Sequence, residues 1–528
     1  MDFNKIKLFI NTVMHLKPVQ IYYRFYYFIR NRLFRYNVKK RIIHDFNSIV
    51  WKNGIEYDNY YFQKENSFIF LNITHSFSDK INWNFNQFGK LWTYNLNYFD
   101  FLNQENISKE TGIKLIQDFI KNDAFLKDGK EPYPISLRCI NWVKFLSNKQ
   151  VKDKLINNTL YFHYCILFKN LEYHLLGNHL LENAFSLLFG AYYFQDEEFY
   201  NKSKNLLVCE LNEQVLKDGA HIELSPMYHQ IILTRLLDSV QLIKLNSKWK
   251  KDGLISFLEL KASLMISWLS NITYKNGDIP MLNDATFNIA PNSKKIFSYA
   301  KHLEINSQAI PLSDSGYRKI NFNSYELLID VGNVGASYQP GHAHSDTFNF
   351  ELIKDGNPII VDTGISTYEK NTVRQNERAT SSHNTVKIGS KDQTQVWGGF
   401  RVAKRAKITH LVEKSNFIEA SHDGYLSDGY IHTRSFLWEE NNFILKDKIN
   451  ISTANKTKAY FHLHSSLVKP LVFGNTIILE SSGISIEFER ASNICIEEYQ
   501  LSAGFNKTKL AYKIVVLFDQ ILKTKISI

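Results

Sequence analysis

The spacing of apolar residues predicts that the first large part of the chain is helical. Between about residues 108 and 305, apolar positions recur every three or four residues, in segments joined by short polar links. Side chains at that spacing share one face of an α-helix. The predicted helices cover residues 113–121, 136–147, 171–194, 198–216, 228–245 and 254–271. With no legible internal repeat, this succession predicts an α/α barrel or toroid.

The pattern changes near residues 306–320, and the remainder is typical of β-strands. Predicted strands cover residues 325–330, 385–388, 443–446, 476–480 and 512–517, with turn-forming residues between them. The predicted fold is an N-terminal α/α toroid (an incomplete barrel) followed by a C-terminal antiparallel β-sandwich. We assign residues 1–84 to a mainly helical N-terminal extension, 85–310 to the toroid and 311–528 to the sandwich. No linker separates the halves, so we expect them to pack together.

The composition of the chain says more about its possible binding partners than about its fold. The formal charge of +11 suits an anionic partner, such as a polyuronate, a sulfated glycan, nucleic acid or a membrane surface. Aromatic residues make up 14% of the chain, which fits either a Tyr- and Phe-rich core or a groove that stacks on sugars. The basic, aromatic residues 22–34 favour a packed N-terminal helix over a membrane contact. No signal peptide or membrane-spanning stretch is evident, which leaves the compartment open. The four cysteines form no CxxC pair and are expected to be buried free thiols.

The most informative motif is Gly-His-Ala-His-Ser-Asp at residues 341–346. If His342 and His344 begin the strand that follows, both side chains point to the same face. Asp362 and His383 come on later strands, beside small turn-forming residues. Nitrogen and oxygen ligands of this kind suit one divalent metal, with zinc the best candidate. A histidine left without metal suits proton transfer.

Two polar islands interrupt the helical half. The first places Asn178, His179 and Glu182 among leucines, with His179 and Glu182 on one helical face. It is also compatible with simple helix capping by Asn178. The second carries Tyr228 at a helix start behind a glycine loop and a proline. Tyr228 there either projects into a cleft or packs on the first helical turn.

A pair of arginines lies between Asp362 and His383 in the sequence. Arg374 and Arg378 are four residues apart, which suits anion binding on one helical face. The alternative is surface ion pairing with Glu369 or Glu377.

Several of these motifs, in this order, resemble those of the heparinase II/III-like polysaccharide lyases. The resemblance covers roughly residues 85–528, and its motifs lie at residues 136–142, 177–183, 223–229, 341–346, 361–364 and 382–385. It implies an α/α toroid and a β-sandwich with the active site in the cleft between them. The first 80 residues look more like family proteins associated with making surface polysaccharides than like secreted members.

The resemblance also implies roles for individual residues. It implies that Asn178 and His179 neutralise a uronate carboxylate, and that Tyr228 and His342 are catalytic. It places His344, Asp362 and His383 as ligands of a zinc-like ion, and it places Glu182 and Trp142 among the substrate-binding residues, to which we add Arg374 and Arg378.

The resulting hypothesis is a lyase that cleaves a uronic-acid-containing anionic polysaccharide by β-elimination. A uronyl C5-epimerase using the same groups is one alternative, and a non-catalytic glycan-binding protein is another. We expect no nucleic-acid partner, because the net positive charge is the only feature of the sequence that favours one.

Overall fold

The computed structural model describes residues 3–33, 46–52, 54–55, 61–64, 66–454 and 456–528. The helices are α1 Phe3–Val13, α2 Pro18–Leu33, α3 Lys90–Tyr98, α4 Lys109–Asn122, α5 Pro132–Asn148, α6 Lys154–Lys169, α7 Gly177–Phe194, α8 Glu197–Gln214, α9 Pro226–Leu245, α10 Leu254–Ile272, α11 Ser293–His302 and α12 Thr372–Glu377. Helices α3 to α11 form the helical half.

Side-chain caps explain where many of these helices begin. The side chains of Ser108, Asp153, Asp196 and Ser225 each accept a hydrogen bond from a backbone N–H in the first turn of α4, α6, α8 and α9. The predicted helices are therefore confirmed, with one change of boundary. Helix α7 begins at Gly177, not near residue 171, because the residues before it form turns.

The C-terminal half is an antiparallel β-structure. Its strands are β4 Tyr317–Asn321, β5 Tyr325–Asp330, β6 Phe350–Lys354, β7 Asn357–Ile360, β8 Val386–Ile388, β9 Val396–Trp397, β10 Arg401–Val402, β11 Ile408–Lys414, β12 Phe417–His422, β13 His432–Glu439, β14 Asn442–Ile449, β15 Thr457–His462, β16 Leu471–Phe473, β17 Thr476–Leu479, β18 Ile484–Glu489, β19 Asn493–Ser502, β20 Thr508–Phe518 and β21 Ile521–Ser527. An eight-stranded sheet has the order β11-β12-β13-β14-β21-β18-β17-β16. Two four-stranded sheets, β19-β20-β15-β8 and β4-β5-β6-β7, share one apolar core with it. The predicted antiparallel sandwich is confirmed.

The sheet β4–β7 belongs to both halves of the molecule. On β5, Leu327 and Ile329 point into the sandwich core, while Leu328 between them packs into the core of the helical half. Ile353 on β6 does the same as Leu328. Because successive strand residues face opposite sides, every residue of β5 is buried. This shared sheet fixes the two halves against each other and positions the loops that meet between them.

The N-terminal extension contains two helices and a small sheet. Helices α1 and α2 are followed by the antiparallel strands β1 Phe62–Lys64, β2 Ser67–Phe70 and β3 Ile73–Ser76. Among the described residues between 61 and 76, the extension forms strands and not helices. Among the residues described, no helix is both long and apolar enough to cross a bilayer.

Candidate active site

A buried aspartate, Asp284, connects three segments at the boundary between the two halves. It lies in the loop between α10 and α11 and is fully buried. Arg374 of α12 binds it with two hydrogen bonds, Nη1 to Oδ1 at 2.5 Å and Nη2 to Oδ2 at 2.7 Å. His342 Nδ1 lies 2.8 Å from Oδ2, and His344 Nε2 lies 2.8 Å from Oδ1. One carboxylate therefore orients both histidines of the Gly-His-Ala-His motif.

The charge of Asp284 decides which nitrogen of His342 is available for chemistry. Burial acts to raise the pKa of Asp284, but Arg374, His342 and His344 together hold it well below its usual range. Asp284 is therefore a carboxylate that only accepts hydrogen bonds, and His342 Nδ1 donates to it. With Nδ1 engaged by Asp284, Nε2 on the other edge of the ring is the nitrogen of His342 that can exchange a proton with a substrate.

Tyr228 packs on the face of the His342 ring, and Asn178 lies at its Nε2 edge. The rings of Tyr228 and His342 stack with their centroids 3.9 Å apart. Asn178 Nδ2 lies 3.5 Å from His342 Nε2. The Tyr228 hydroxyl lies 3.2 Å from the hydroxyl of Tyr368. Burial raises the pKa of Tyr228, so its phenol keeps its proton at neutral pH.

Asn178 is held by a second buried acid, Glu223. Its backbone N–H donates to Glu223 Oε1 at 2.9 Å, and its Nδ2 donates to Oε1 at 3.0 Å and Oε2 at 2.8 Å. Burial acts to raise the pKa of Glu223, but His342, His221 and the bonds from Asn178 hold it below its usual range. Gly177 has φ +57°, and a Cβ there would lie 2.5 Å from Glu223 Oε1. Only glycine leaves room for this carboxylate beside α7.

His179, the next residue of α7, bonds to a third acid. Its Nδ1 lies 3.0 Å from Oε1 of the buried Glu172, and its ring lies 4.6 Å from that of Tyr133. Burial acts to lower the pKa of His179, but Glu172 raises it above its usual value. The side chain of His179 keeps 28% of its surface exposed, so a partly accessible imidazole whose cationic form is favoured by Glu172 follows Asn178 on α7.

The three predicted metal ligands lie close together behind His342. His383 Nδ1 is 2.7 Å from Asp362 Oδ2, and the rings of His344 and His383 are 5.2 Å apart. His344 Nδ1 and His383 Nε2 are buried without a hydrogen-bond partner. Burial lowers the pKa of His344 to about 3, so it is neutral. Two imidazole lone pairs beside a carboxylate are the donors that zinc prefers, so the residues fit such an ion. As they stand, no three His, Cys, Asp or Glu side chains within the described ranges surround a common point.

The histidine motif reaches this arrangement without being a strand. Strand β6 begins only at Phe350, and residues 341–349 form turns. The expectation that His342 and His344 share one strand face was wrong. They converge because both bond to Asp284, and because Asn283 Oδ1 accepts from the His344 backbone N–H at 3.0 Å.

The structure does not bring four predicted substrate-binding residues to the surface of the site. Arg374 is fully buried on Asp284, and the equally buried Arg378 donates to the carbonyls of Ala343 and Gly399. Both arginines hold the loop that carries His342, in contrast to the expected anion-binding face. Glu182 is buried and lies 3.3 Å from Arg235 Nε. Trp142 is fully buried in the core and contacts Phe99 and Phe119.

Four residues of this constellation received no role from the sequence. Asp284, Glu223, Glu172 and Tyr368 each contact a predicted site residue. Glu223 falls inside the motif at residues 223–229, so it was open to detection. Asp284 follows Asn283 in an apolar loop, and a polar pair in such surroundings is the only available signal.

Comparisons with known proteins agree with this architecture. Residues 135–309 match the model of the "Heparinase II/III N-terminus", and residues 304–528 match "Heparinase II/III-like, C-terminal". A heparin-sulfate lyase of Bacteroides thetaiotaomicron is 23% identical over 346 residues, covering 57% of this chain and 47% of that protein. One of Bacteroides stercoris is 23% identical over 360 residues, covering 61% and 50%. The chain thus spans about half the length of the curated relatives that it matches.

Solved structures show the same fold at low sequence identity. A crystal structure of heparinase III has a TM-score of 0.61 and 17% identity, covering 86% of this chain and 80% of that one. The agreement extends across both halves, so the combination of toroid and β-sandwich is confirmed.

Proposed function

Because the chain belongs to the heparinase II/III-like family, we propose that it is a polysaccharide lyase that cleaves a uronic-acid-containing anionic polysaccharide by β-elimination. The observation that carries the proposal is the stack of Tyr228 on His342, whose Nδ1 is fixed by Asp284. It places a proton donor and a proton acceptor side by side where the two halves meet. Such a pair is what elimination across the C4–C5 bond of a uronate requires.

In the proposed reaction His342 is the base. Its Nε2 takes the C5 proton, and the electron pair of the C5–H bond forms the C4=C5 double bond. The resulting imidazolium is stabilised by Asp284, which accepts the Nδ1 proton in a charge-assisted hydrogen bond. Arg374 keeps that carboxylate charged and in place.

Tyr228 is the proposed acid. As the C4–O4 bond breaks, its electron pair passes to O4, and the Tyr228 hydroxyl protonates that oxygen. The raised pKa keeps the phenol protonated until this step. The cycle closes when the proton taken up by His342 returns to the Tyr228 phenolate, and the Tyr368 hydroxyl at 3.2 Å can stabilise that phenolate by donating a hydrogen bond to it.

The C5 proton of the uronate becomes acidic enough to remove only when neighbouring groups neutralise the negative charge of the substrate carboxylate. We assign this chiefly to His179, because Glu172 favours its cationic form and its ring is partly exposed. The amide hydrogens of Asn178 already bond to Glu223, so its direct contribution requires that bond to change on binding. Asn178 therefore also serves to position Glu223 beside His342.

We further propose that His344, Asp362 and His383 hold one divalent metal, with zinc preferred. Asp362 lies on the Nδ1 side of His383, so binding through His383 Nε2 would require one of these two side chains to turn. Such an ion would supply structural order, since it would fix the loop 341–346 that presents His342. The partnerless nitrogens of both histidines support this assignment.

The substrate class follows from charge and from the relatives. The matched proteins are described as heparin-sulfate lyases, and this chain carries a formal charge of +11, which suits a polyanion. The first 80 residues resemble family proteins associated with making surface polysaccharides, so we extend the proposal to a system of that kind.

The test is a panel of uronate polymers, including heparan sulfate and chondroitin sulfate, followed by ultraviolet absorption and mass analysis of the products. Wild type should release unsaturated uronyl ends from at least one polymer. Tyr228→Phe and His342→Ala should each lower kcat by about 10²–10⁴-fold. His410→Ala on the exposed part of β11 and Tyr499→Phe, whose hydroxyl bonds to the Leu463 carbonyl, are matched controls that should retain activity.

Other outcomes select the alternatives. Deuterium entering at C5 without chain scission would identify an epimerase. Binding that neither substitution alters, without turnover of any polymer, would identify a glycan-binding protein.

A further inference from the structure

The first two helices carry their apolar residues on the outside. In the part of the chain that the structure describes, 26 large hydrophobic side chains are exposed, and ten of them lie before residue 34. They are Ile6, Phe9, Ile10, Met14, Tyr22, Phe25, Tyr26, Phe28, Ile29 and Leu33, which we call the N-terminal apolar stripe. Met14 is 69% exposed, Phe25 65% and Phe28 60%. This concentration is too local to be ordinary surface scatter.

The stripe follows helical spacing. On α2, residues 22, 25, 26, 29 and 33 recur at intervals of three and four, which places them along one face. On α1, residues 6, 9 and 10 do the same. A surface helix of a globular protein turns such a face inward, so the orientation here is reversed.

Polar groups hold α2 on the protein instead. Gln20 is buried and its Nε2 donates to the Leu175 carbonyl at 3.0 Å. Arg30 Nη1 donates to the Lys169 carbonyl at 2.7 Å, and the Tyr27 hydroxyl donates to the Leu171 carbonyl at 2.6 Å. These residues recur at helical spacing on the side opposite the stripe. Directional hydrogen bonds therefore fix the helix so that its apolar face stays outside.

Charge identifies what that face meets. Residues 3–33 contain six basic residues, Lys5, Lys7, Lys17, Arg24, Arg30 and Arg32, and no Asp or Glu. Lys5, Lys7, Arg24 and Arg32 are exposed and border the stripe. Arg401 and Lys407 extend the basic surface from the sandwich side. Apolar and aromatic side chains edged by cations are the pattern of a helix that lies in the interface of an anionic bilayer.

We propose that α1 and α2 dock the protein on an anionic membrane surface, with the N-terminal apolar stripe inserted between the lipid headgroups. The occupant is the bilayer, because a second copy of this chain would bring the four exposed cations that border one stripe, Lys5, Lys7, Arg24 and Arg32, against the same four of the other. Docking would hold the lyase at the surface without a spanning segment, and it is independent of the elimination chemistry.

Vesicle flotation of the full chain tests the proposal. Wild type should float with vesicles of phosphatidylcholine and phosphatidylglycerol, and far less with phosphatidylcholine alone. The pair Phe25→Ser and Ile29→Ser should lower partitioning by about tenfold or more, since each loses an inserted apolar side chain. The double variant Lys5→Glu, Lys7→Glu should also partition less than wild type, and the difference should be larger at low salt than at high salt.

A matched control uses exposed apolar residues elsewhere. Val472→Ser with Phe473→Ser on β16 removes comparable exposed surface and should float as wild type does. All variants should keep their activity on a soluble polymer, which separates docking from catalysis and from loss of fold.

Several results would overturn the proposal. Equal flotation with neutral and anionic vesicles would do so, as would wild-type flotation of the Phe25→Ser, Ile29→Ser variant. A dimer in solution that this variant abolishes would assign the stripe to a second copy. Displacement by soluble dextran sulfate without any effect of the variant would assign the basic border to a polyanion site.

Discussion

Two buried clusters in this protein are built from the same residue types, and only one of them lies where the two halves meet. In the Asp284 cluster, Arg374, His342 and His344 bond to one carboxylate. In the Asp447 cluster, Arg434 Nε and Nη2 bond to Asp447 at 2.7 and 3.0 Å, and His432 Nε2 lies 2.7 Å from Oδ1. Both aspartates have a pKa held below the usual range, although burial alone would raise it.

The clusters differ in what the outer edge of the histidine meets. His432 Nδ1 lies 3.1 Å from Nε2 of His422, so both of its nitrogens have close partners, and it is 0% exposed. His342 Nε2 has only longer contacts, 3.5 Å to Asn178 and 3.6 Å to Glu223, and it is 8% exposed beside Tyr228. An Asp–Arg–His cluster is therefore not a functional signature in itself. The free edge of one imidazole makes the difference.

Asp284→Asn and Asp447→Asn should separate these roles most strongly. The amide introduced by Asp284→Asn would offer Nδ2 or Oδ1 to His342 in place of a charged acceptor, which disturbs the tautomer, and kcat should fall about 10³-fold or more. Asp447→Asn should leave kcat of the folded protein within about twofold of wild type. Both should lower the free energy of unfolding, by about 3–5 kcal/mol, because each leaves a buried arginine unpaired.

The measurement is kcat per folded molecule, with the folded fraction taken from circular dichroism at low temperature. An equal loss of kcat per folded molecule in both variants would show that the Asp284 cluster has no catalytic role that the Asp447 cluster lacks. The functional distinction between them would then fail.

The contrast also shows what the sequence could and could not reveal. The Asp447 cluster joins β13 to β14, where Arg434 and Asp447 are cross-strand partners in a hairpin. Its residues are close in sequence, so the local strand pattern is enough to predict that they meet. The helices were predictable because periodicity and capping residues are local as well. Asp284 lies 58 residues from His342 and 90 from Arg374, in a loop without period, so no local signal connects them. Burial of Arg374 and Trp142 depends on tertiary packing in the same way.

Gly177→Ala should sharpen the comparison at the open edge of His342. The new Cβ would meet Glu223 Oε1 at 2.5 Å and displace the carboxylate that holds Asn178. We expect kcat to fall about tenfold or more, a typical consequence of misplacing a positioning group. Gly389→Ala is the matched control, because Gly389 has φ +60° and a Cβ there meets nothing within 4 Å.

Both glycine variants should lose about 1 kcal/mol of stability from left-handed strain. Activity in Gly177→Ala that equals that of Gly389→Ala would remove Glu223 from the positioning of the site. The readouts are kcat and the thermal midpoint of each purified variant.

Metal removal should affect only the side of the molecule that carries the Asp284 cluster. If His344 and His383 hold one ion, chelation of wild type should lower Tm by about 5 °C, as expected for loss of a tightly bound ligand. His383→Ala should contain no metal and show no further change with chelator. Asp447→Asn should still contain about one equivalent by elemental analysis. Well-folded wild type without metal would return His344 and His383 to ordinary buried histidines.

Acid should erode the Asp447 cluster by a smaller amount. The pKa of Asp447 is about 2, against a usual 3.8. Because the folded pKa is the lower one, the stabilisation is complete above about pH 4 and is lost as the pH falls towards about 2. The contribution is about 2 kcal/mol. The stability difference between wild type and Asp447→Asn, measured from Tm at each pH, should therefore shrink across this window. Glu440→Gln in the exposed turn after β13 should show no such change. A difference that stays constant down to about pH 2 would mean that Arg434 does not stabilise the charged form of Asp447.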